Sequence, residues 1–118
     1  MEAVASEVLS AGLLEIRPDE FTAFANGFPV PLTAREFGLL CALARRGGRI
    51  VSRPELYVVV WQRPFRKEDR SVDVYVRKLR QKLEDALPEW RFIHTHFGFG
   101  YRFAAEPSHL FHNSATSR

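Results

Sequence analysis

The sequence predicts an α+β fold in which a small N-terminal antiparallel β-sheet leads into a three-helix core, and a β-hairpin closes the C-terminal side. Three observations carry this expectation. Thr33 to Glu36 and Ser52 to Glu55 both have the Ser/Thr-x-x-Glu spacing, whose hydroxyl and carboxylate satisfy free backbone N–H groups in the first turn of a helix. Residues 69–86 form a longer segment in which Val72, Val76, Leu79 and Leu83 recur every three or four positions, making one apolar stripe. Short apolar runs separated by turn residues lie on both sides of these helices.

Residues 1–11 are small, weakly polar and without periodicity, so they read as a flexible leader or linker remnant, with the domain itself spanning 12–104. Residues 13–16 and 21–24 are short strands separated by Arg17, Pro18, Asp19 and Glu20. Asn26-Gly27 makes the next turn, and 28–32 closes the sheet. The first helix follows Thr33, with Phe37, Leu40, Cys41 and Ala44 inward, a basic last turn at Arg45-Arg46 and a stop at Gly47-Gly48. The second follows Ser52, with Pro54 in its first turn, where a missing N–H costs nothing. Val58, Val59 and Val60 favour a strand by propensity, but the cap decides for a helix. The third helix starts at Asp69 as N-cap and ends at Ala86, ahead of Pro88. Strands at 90–95 and 101–103 flank the turn Phe97-Gly98-Phe99-Gly100, and 105–118 reads as an irregular tail.

With 118 residues and 46% hydrophobic side chains, the chain can build one core and not two. No apolar run approaches the roughly 20 residues of a membrane span, and the N-terminus has no signal pattern, so a cytoplasmic protein is expected. The single cysteine, Cys41, falls on the inward side of its helix and reads as a core residue. His94, His96, His109 and His112 include two closely spaced pairs, but without carboxylate or cysteine partners nearby they do not make a metal site, and no cofactor is called for. His94 and His96 alternate on a strand and read as exposed residues or as phosphate contacts. Acidic residues are scattered and no nucleophile–base arrangement exists, which argues against an enzyme.

The net charge of +3 is unremarkable, but its distribution is not: residues 63–82 hold eight basic side chains against three acidic ones. Opposite the apolar stripe, the third helix presents Arg70, Ser71, Val74, Arg77, Lys78 and Gln81. Such groups read a major groove, with Arg or Lys on guanine, Gln on adenine and an aliphatic side chain on the thymine methyl. Arg63, Arg66, Lys67 and Arg80, with the indole N–H of Trp61, are candidates for phosphate contacts. Two shorter helices, a basic loop, this helix and then a hairpin is the order of a winged helix-turn-helix. The rival reading is a winged-helix protein-interaction module without specific DNA binding, which would not need basic and hydrogen-bonding groups together on one outward face.

At this point the sequence resembles the C-terminal effector domain of OmpR/PhoB-type response regulators of bacterial two-component systems. The residues that carry the resemblance are Leu32-Thr33 with Glu36-Phe37, Leu39-Leu40, Val51-Ser52-Arg53, Leu56 and Trp61, the run from Glu68 to Leu83, and Gly98-Phe99-Gly100-Tyr101-Arg102-Phe103. The resemblance implies a four-stranded N-terminal sheet, three helices and a hairpin wing, and tandem binding of two protomers to direct-repeat DNA. It further implies base-facing roles at Ser71, Val74 and Lys78, backbone contacts at Trp61, Arg70, Tyr75, Arg77 and Arg80, and an RNA polymerase contact through loop 62–67. The wing, His96, Phe97, Gly98, Phe99, Gly100 and Tyr101, departs from the family pattern: Phe97 stands where an Arg usually precedes the first glycine, so minor-groove readout is weakened or becomes apolar contact. Phe97 and Phe99 read either as an apolar wing tip or as packing on the domain. No receiver domain precedes the effector in this sequence, which fits a fragment of a two-component regulator or a stand-alone regulator.

Overall fold

A computed structural model describes residues 6–109. In chain order its elements are β1 (Leu9–Ala11), β2 (Leu14–Arg17), a 3-10 turn (Pro18–Glu20), β3 (Thr22–Ala25), β4 (Phe28–Val30), α1 (Ala34–Arg45), β5 (Ile50–Val51), α2 (Arg53–Trp61), α3 (Ser71–Ala86), β6 (Trp90–His96) and β7 (Gly100–Pro107). β1 to β4 form an antiparallel meander, and β7 lies between β5 and β6 in a second antiparallel sheet.

In the first sheet Leu14 pairs with Ala25 and Ile16 with Ala23, so the period-two pattern turns these four side chains inward. Asn26 and Gly27 both have positive φ, at 50° and 87°, as a two-residue hairpin between Ala25 and Phe28 demands. Two of the expected boundaries move. The segment expected to be a leader contains β1, and Glu7 accepts from Arg45 Nε at 3.0 Å and Nη2 at 2.7 Å; a three-residue strand made by pairing leaves no periodicity to read. The expected irregular tail is strand through Pro107, and Ser108 N donates to Glu89 O at 2.8 Å. Residues 1–5 of the expected leader and 110–118 of the expected tail, His112 included, lie outside the described residues.

The first helix has its full capping box: Glu36 N donates to Thr33 Oγ1 at 3.2 Å and Thr33 N to Glu36 Oε1 at 2.9 Å. At α2 only half of the expected box forms. Ser52 Oγ accepts from Glu55 N, but Glu55 Oε2 takes Arg46 Nε and Arg49 Nη2, both at 2.9 Å, because two guanidinium groups outbid one neutral N–H. Asp69 is not the N-cap of α3. The helix starts at Ser71 behind Arg70, and Asp69 Oδ1 accepts from Ser71 N at 2.8 Å one step earlier. Val72, Val76, Leu79 and Leu83 are all buried, each contributing about 1.5–3 kcal/mol. They meet Leu39, Leu40 and Leu43 of α1, Leu56 of α2 and Phe92 of β6 in one core, which also holds Cys41.

Candidate nucleic-acid interface

With its apolar stripe committed to the core, α3 exposes Val74, Arg77, Lys78 and Gln81, and leaves Ser71, Tyr75 and Arg80 half-buried. Val74 is 45% exposed in a helix whose other valines are sealed in the core. Lys78 Nζ lies 5.0 Å from the Tyr75 ring centroid, and Gln81 Nε2 donates to Asp85 Oδ1 at 2.9 Å. A base reached by Gln81 must therefore compete with an intrahelical bond.

The domain divides its cations into two populations. Arg17, Arg45, Arg46, Arg49, Arg53, Lys82 and Arg102 are each ion-paired to a carboxylate. Among the described residues, the side chains of Arg66, Lys67, Arg70 and Arg77 are exposed and make no hydrogen bond or ion pair. All four lie on α3 or in the loop before it, so the positive field there is not neutralised locally.

An aromatic cluster fixes that loop. Tyr57 stacks on Trp61 with centroids 5.0 Å apart and meets Phe65 edge-on at 5.5 Å, while Trp61 meets Tyr75 at 5.6 Å. Arg63 Nε donates to Tyr57 Oη at 3.0 Å, and Arg35 sits 4.8 Å over the Trp61 ring. Trp61 and Arg63 are thus structural as well as candidate phosphate contacts. Asp69 is held below its ordinary range by its bonds to the Ser71 hydroxyl and backbone N–H, keeping a carboxylate at the start of α3.

The wing is bolted to α3 at two points. Arg80 Nη1 donates to Thr95 Oγ1 at 3.0 Å and to Ile93 O at 3.3 Å, so part of its guanidinium is already engaged. Tyr101 Oη donates to Asp73 Oδ1 at 2.5 Å, and Arg53 Nη1 to Asp73 Oδ2 at 2.8 Å, joining α2, α3 and β7. Tyr101, grouped with the wing in the sequence, is buried and acts as its anchor. Burial first, then the adjacent Asp73, pushes its phenol up to about 12. Gly100 has φ +143°, and a Cβ there would lie 2.0 Å from Val51 O, so the close approach of β5 to β7 requires glycine. Gly98, at φ +84°, serves the turn in which Phe99 N donates to His96 O at 2.8 Å.

Of the two phenylalanine readings, the structure takes the exposed tip: Phe97 is 88% and Phe99 73% exposed. The reading of His94 as an exposed strand residue fails. Its side chain is 10% exposed, and Nε2 lies 2.8 Å from Ala104 O and 3.7 Å from Glu106 Oε1, so the ring is drawn in against β7. His96 Nε2 accepts from Arg102 Nε at 3.1 Å. Sequence reasoning missed Asp73, Arg53 and Arg35 as organisers of this surface. Asp73 does carry a signal, as the one acid within the basic run on α3 that precedes Glu84.

Two short helices, a long basic helix and a hairpin anchored beside it define the winged helix-turn-helix class. Residues 27–103 match the family model described as "Transcriptional regulatory protein, C terminal", and the chain belongs to this family of OmpR/PhoB-type DNA-binding domains, which are regulators and not enzymes. It is 40% identical over 111 residues, 91% of its length and 48% of the relative's, to the transcriptional activator protein IrlR of Burkholderia pseudomallei. It is 37% identical to the alkaline phosphatase synthesis transcriptional regulatory protein PhoP of Bacillus subtilis, covering 77% of this chain and 38% of that one. The chain spans about half the length of the curated relatives it matches, or less. Among solved structures it is similar to the Klebsiella pneumoniae RstA DNA-binding domain in complex with the RstA box, with TM-score 0.75, 35% identity and coverage of 83% and 97%. The DNA-binding domain of CpxR from E. coli gives TM-score 0.76 at 31% identity, with coverage of 84% and 97%. Among the described residues no helix is long and apolar enough to cross a membrane.

Proposed function

We propose that this domain regulates transcription by sequence-specific binding to double-stranded DNA, with α3 in the major groove and the wing beside it at the minor groove. The observation that carries the reading is the outer face of α3, where Val74, Arg77 and Lys78 stand exposed beside the unpaired Arg66, Lys67 and Arg70. In this reading Ser71, Val74, Lys78 and Gln81 meet bases, Val74 through a thymine methyl and Lys78 through guanine acceptors. Trp61, Arg63, Arg66, Lys67, Arg70, Tyr75, Arg77 and Arg80 meet the phosphate backbone and fix register. Arg80 contributes chiefly by holding the wing against the helix.

The domain is the effector part of a bacterial cytoplasmic regulator. Two protomers bind in tandem on DNA, and loop 62–67, braced by the Tyr57–Trp61–Phe65 cluster, is the surface offered to RNA polymerase. Selection of bound sequences from a random duplex pool at about 0.15 M salt tests the reading, because non-specific affinity is weak there. The expected result is a direct repeat of short half-sites, with Lys78→Ala or Val74→Ala costing about 1–3 kcal/mol and altering the preferred base. No recovered motif, with equal weak binding by parent and variants, would overturn it.

A further inference from the structure

Resting on that DNA-binding reading, we propose that Tyr75 is a positioning residue for Lys78: its ring holds the Lys78 ammonium in place and so sets how sharply this lysine tells one base from another. Lys78 Nζ lies 5.0 Å from the Tyr75 ring centroid, within the range of a cation–π contact. On a helix a side chain meets the residues three and four positions away. For Lys78 these are Val74, Tyr75, Gln81 and Lys82. Val74 is apolar, the Gln81 amide is drawn one turn onward to Asp85, and Lys82 is a like charge already paired with Glu36. Of the four, Tyr75 is left to attract the ammonium.

The ring is itself held. Tyr75 is half-buried against the core, and Trp61 meets it at 5.6 Å with the ring planes 75° apart. Trp61 in turn stacks on the buried Tyr57, which Phe65 meets edge-on, and Arg35 lies 4.8 Å over the Trp61 ring. The ammonium therefore rests on a side chain that is anchored in three directions. A lysine stem is long and flexible, and an exposed one can carry its charge to acceptors on more than one base pair. Holding it on a fixed ring lowers the ordering cost of reaching the correct acceptors and leaves the wrong ones without that gain. The two parts of Tyr75 have separable roles: the hydroxyl can donate to phosphate, while the π face serves Lys78.

The test compares Tyr75→Phe, which keeps the ring and loses the hydroxyl, with Tyr75→Leu, which loses both, each alone and combined with Lys78→Ala. Discrimination is read as the ratio of affinities for the selected duplex and for duplexes changed at the base pair that Lys78→Ala affects. Tyr75→Leu should lower this ratio roughly two- to fivefold, the size of an exposed cation–π contact, and should lower it no further once Lys78 is Ala. Tyr75→Phe should weaken binding evenly across the duplexes and leave the ratio as it is in the parent. In the domain without DNA, the ring should shift the Lys78 ε-methylene protons upfield in the parent and in Tyr75→Phe, and the shift should vanish in Tyr75→Leu. Where Tyr75→Leu lowers the thermal melt, Tyr75→Met takes its place, since its long apolar side chain refills the gap. A ratio in the ring-deleted variant within about 1.5-fold of the parent's, or an equal loss with and without Lys78, overturns the proposal and leaves Tyr75 as a phosphate contact. A Lys78 methylene resonance unmoved by removal of the ring overturns it too. Failure of the parent itself to select a sequence is a different result: it removes the DNA-binding reading, and the proposal with it, even with the ring shift present.

Discussion

Replacing Lys82 by Met should cost about 2–3 kcal/mol of stability and leave the outer face of α3 unchanged. Glu36 is 2% exposed, and its Oε1 accepts from Lys82 Nζ at 2.7 Å and from Thr33 N at 2.9 Å. Breaking a fully buried pair from one side costs roughly 3–5 kcal/mol, since the remaining charge is stranded. Here the Lys82 side chain is 36% exposed and the Thr33 N–H remains in place, which moves the expectation to the lower end. Met preserves the apolar stem that packs along the helix. For a domain of this size the loss should lower Tm by roughly 8–20 °C. Urea unfolding followed by circular dichroism should show a lower midpoint at unchanged m. The acid limb provides a second reading. Burial opposes ionisation of Glu36, but the bonds from Lys82 and Thr33 outweigh it and hold its pKa below the ordinary 4.5. A carboxylate depressed in the folded state stabilises fully above its unfolded pKa, and that stability is lost as pH falls through the folded value. Removing Lys82 should therefore shrink the loss of stability below about pH 4.5. A cost under about 0.5 kcal/mol, together with an unaltered acid limb, would refute the coupling of α1 to α3 through this pair.

Two further expectations concern the wing. Gly100→Ala should cost several times more than Gly98→Ala, about 3 kcal/mol against about 1, because a Cβ at 100 meets backbone 2.0 Å away whereas one at 98 meets only positive-φ strain; equal midpoints for the two variants in urea would contradict the packing described. Tyr101 should ionise only near pH 12. Its raised folded pKa stabilises the domain fully below the unfolded value near 10, and that contribution is lost as pH rises through about 12. Subtracting the phenolate absorbance of Tyr101→Phe from that of the parent isolates this titration, and a midpoint near 10 would show that the phenol is not enclosed against Asp73.

The elements readable in the sequence were those whose signal is local. A hydroxyl three residues before a carboxylate, Asn26-Gly27 between apolar runs, and four apolar side chains on one helical stripe each act within a turn or two, so their consequences follow without knowing the rest of the fold. β1 and β5 are different. Three and two residues long, they exist because β2 and β7 present unpaired backbone beside them, and nothing within Leu9–Ala11 or Ile50–Val51 encodes that neighbour. The half-formed box at Ser52 has the same cause. Its spacing promised a bond from Glu55 back to the cap, but the carboxylate was claimed by Arg46 and Arg49, which the α1–α2 crossing brings close.

Charge was legible as a sum but not as an allocation. The sequence places eight basic residues between 63 and 82, yet Lys82 is spent on Glu36, and Arg80 is drawn into the wing. What remains unpaired is a smaller set, and it lies where α3 and its preceding loop face outward. Asp73 shows why the difference matters. Read along the helix, it merely subtracts one charge from a basic face. In the fold it accepts from both Arg53 and Tyr101, so it removes one arginine from the competition for phosphate and fixes the angle between α3 and the hairpin. A carboxylate that lowers the net positive charge of the surface thereby makes its geometry definite. Affinity that depends on simultaneous contact by a helix and a wing gains more from that definition than it loses from one compensated cation.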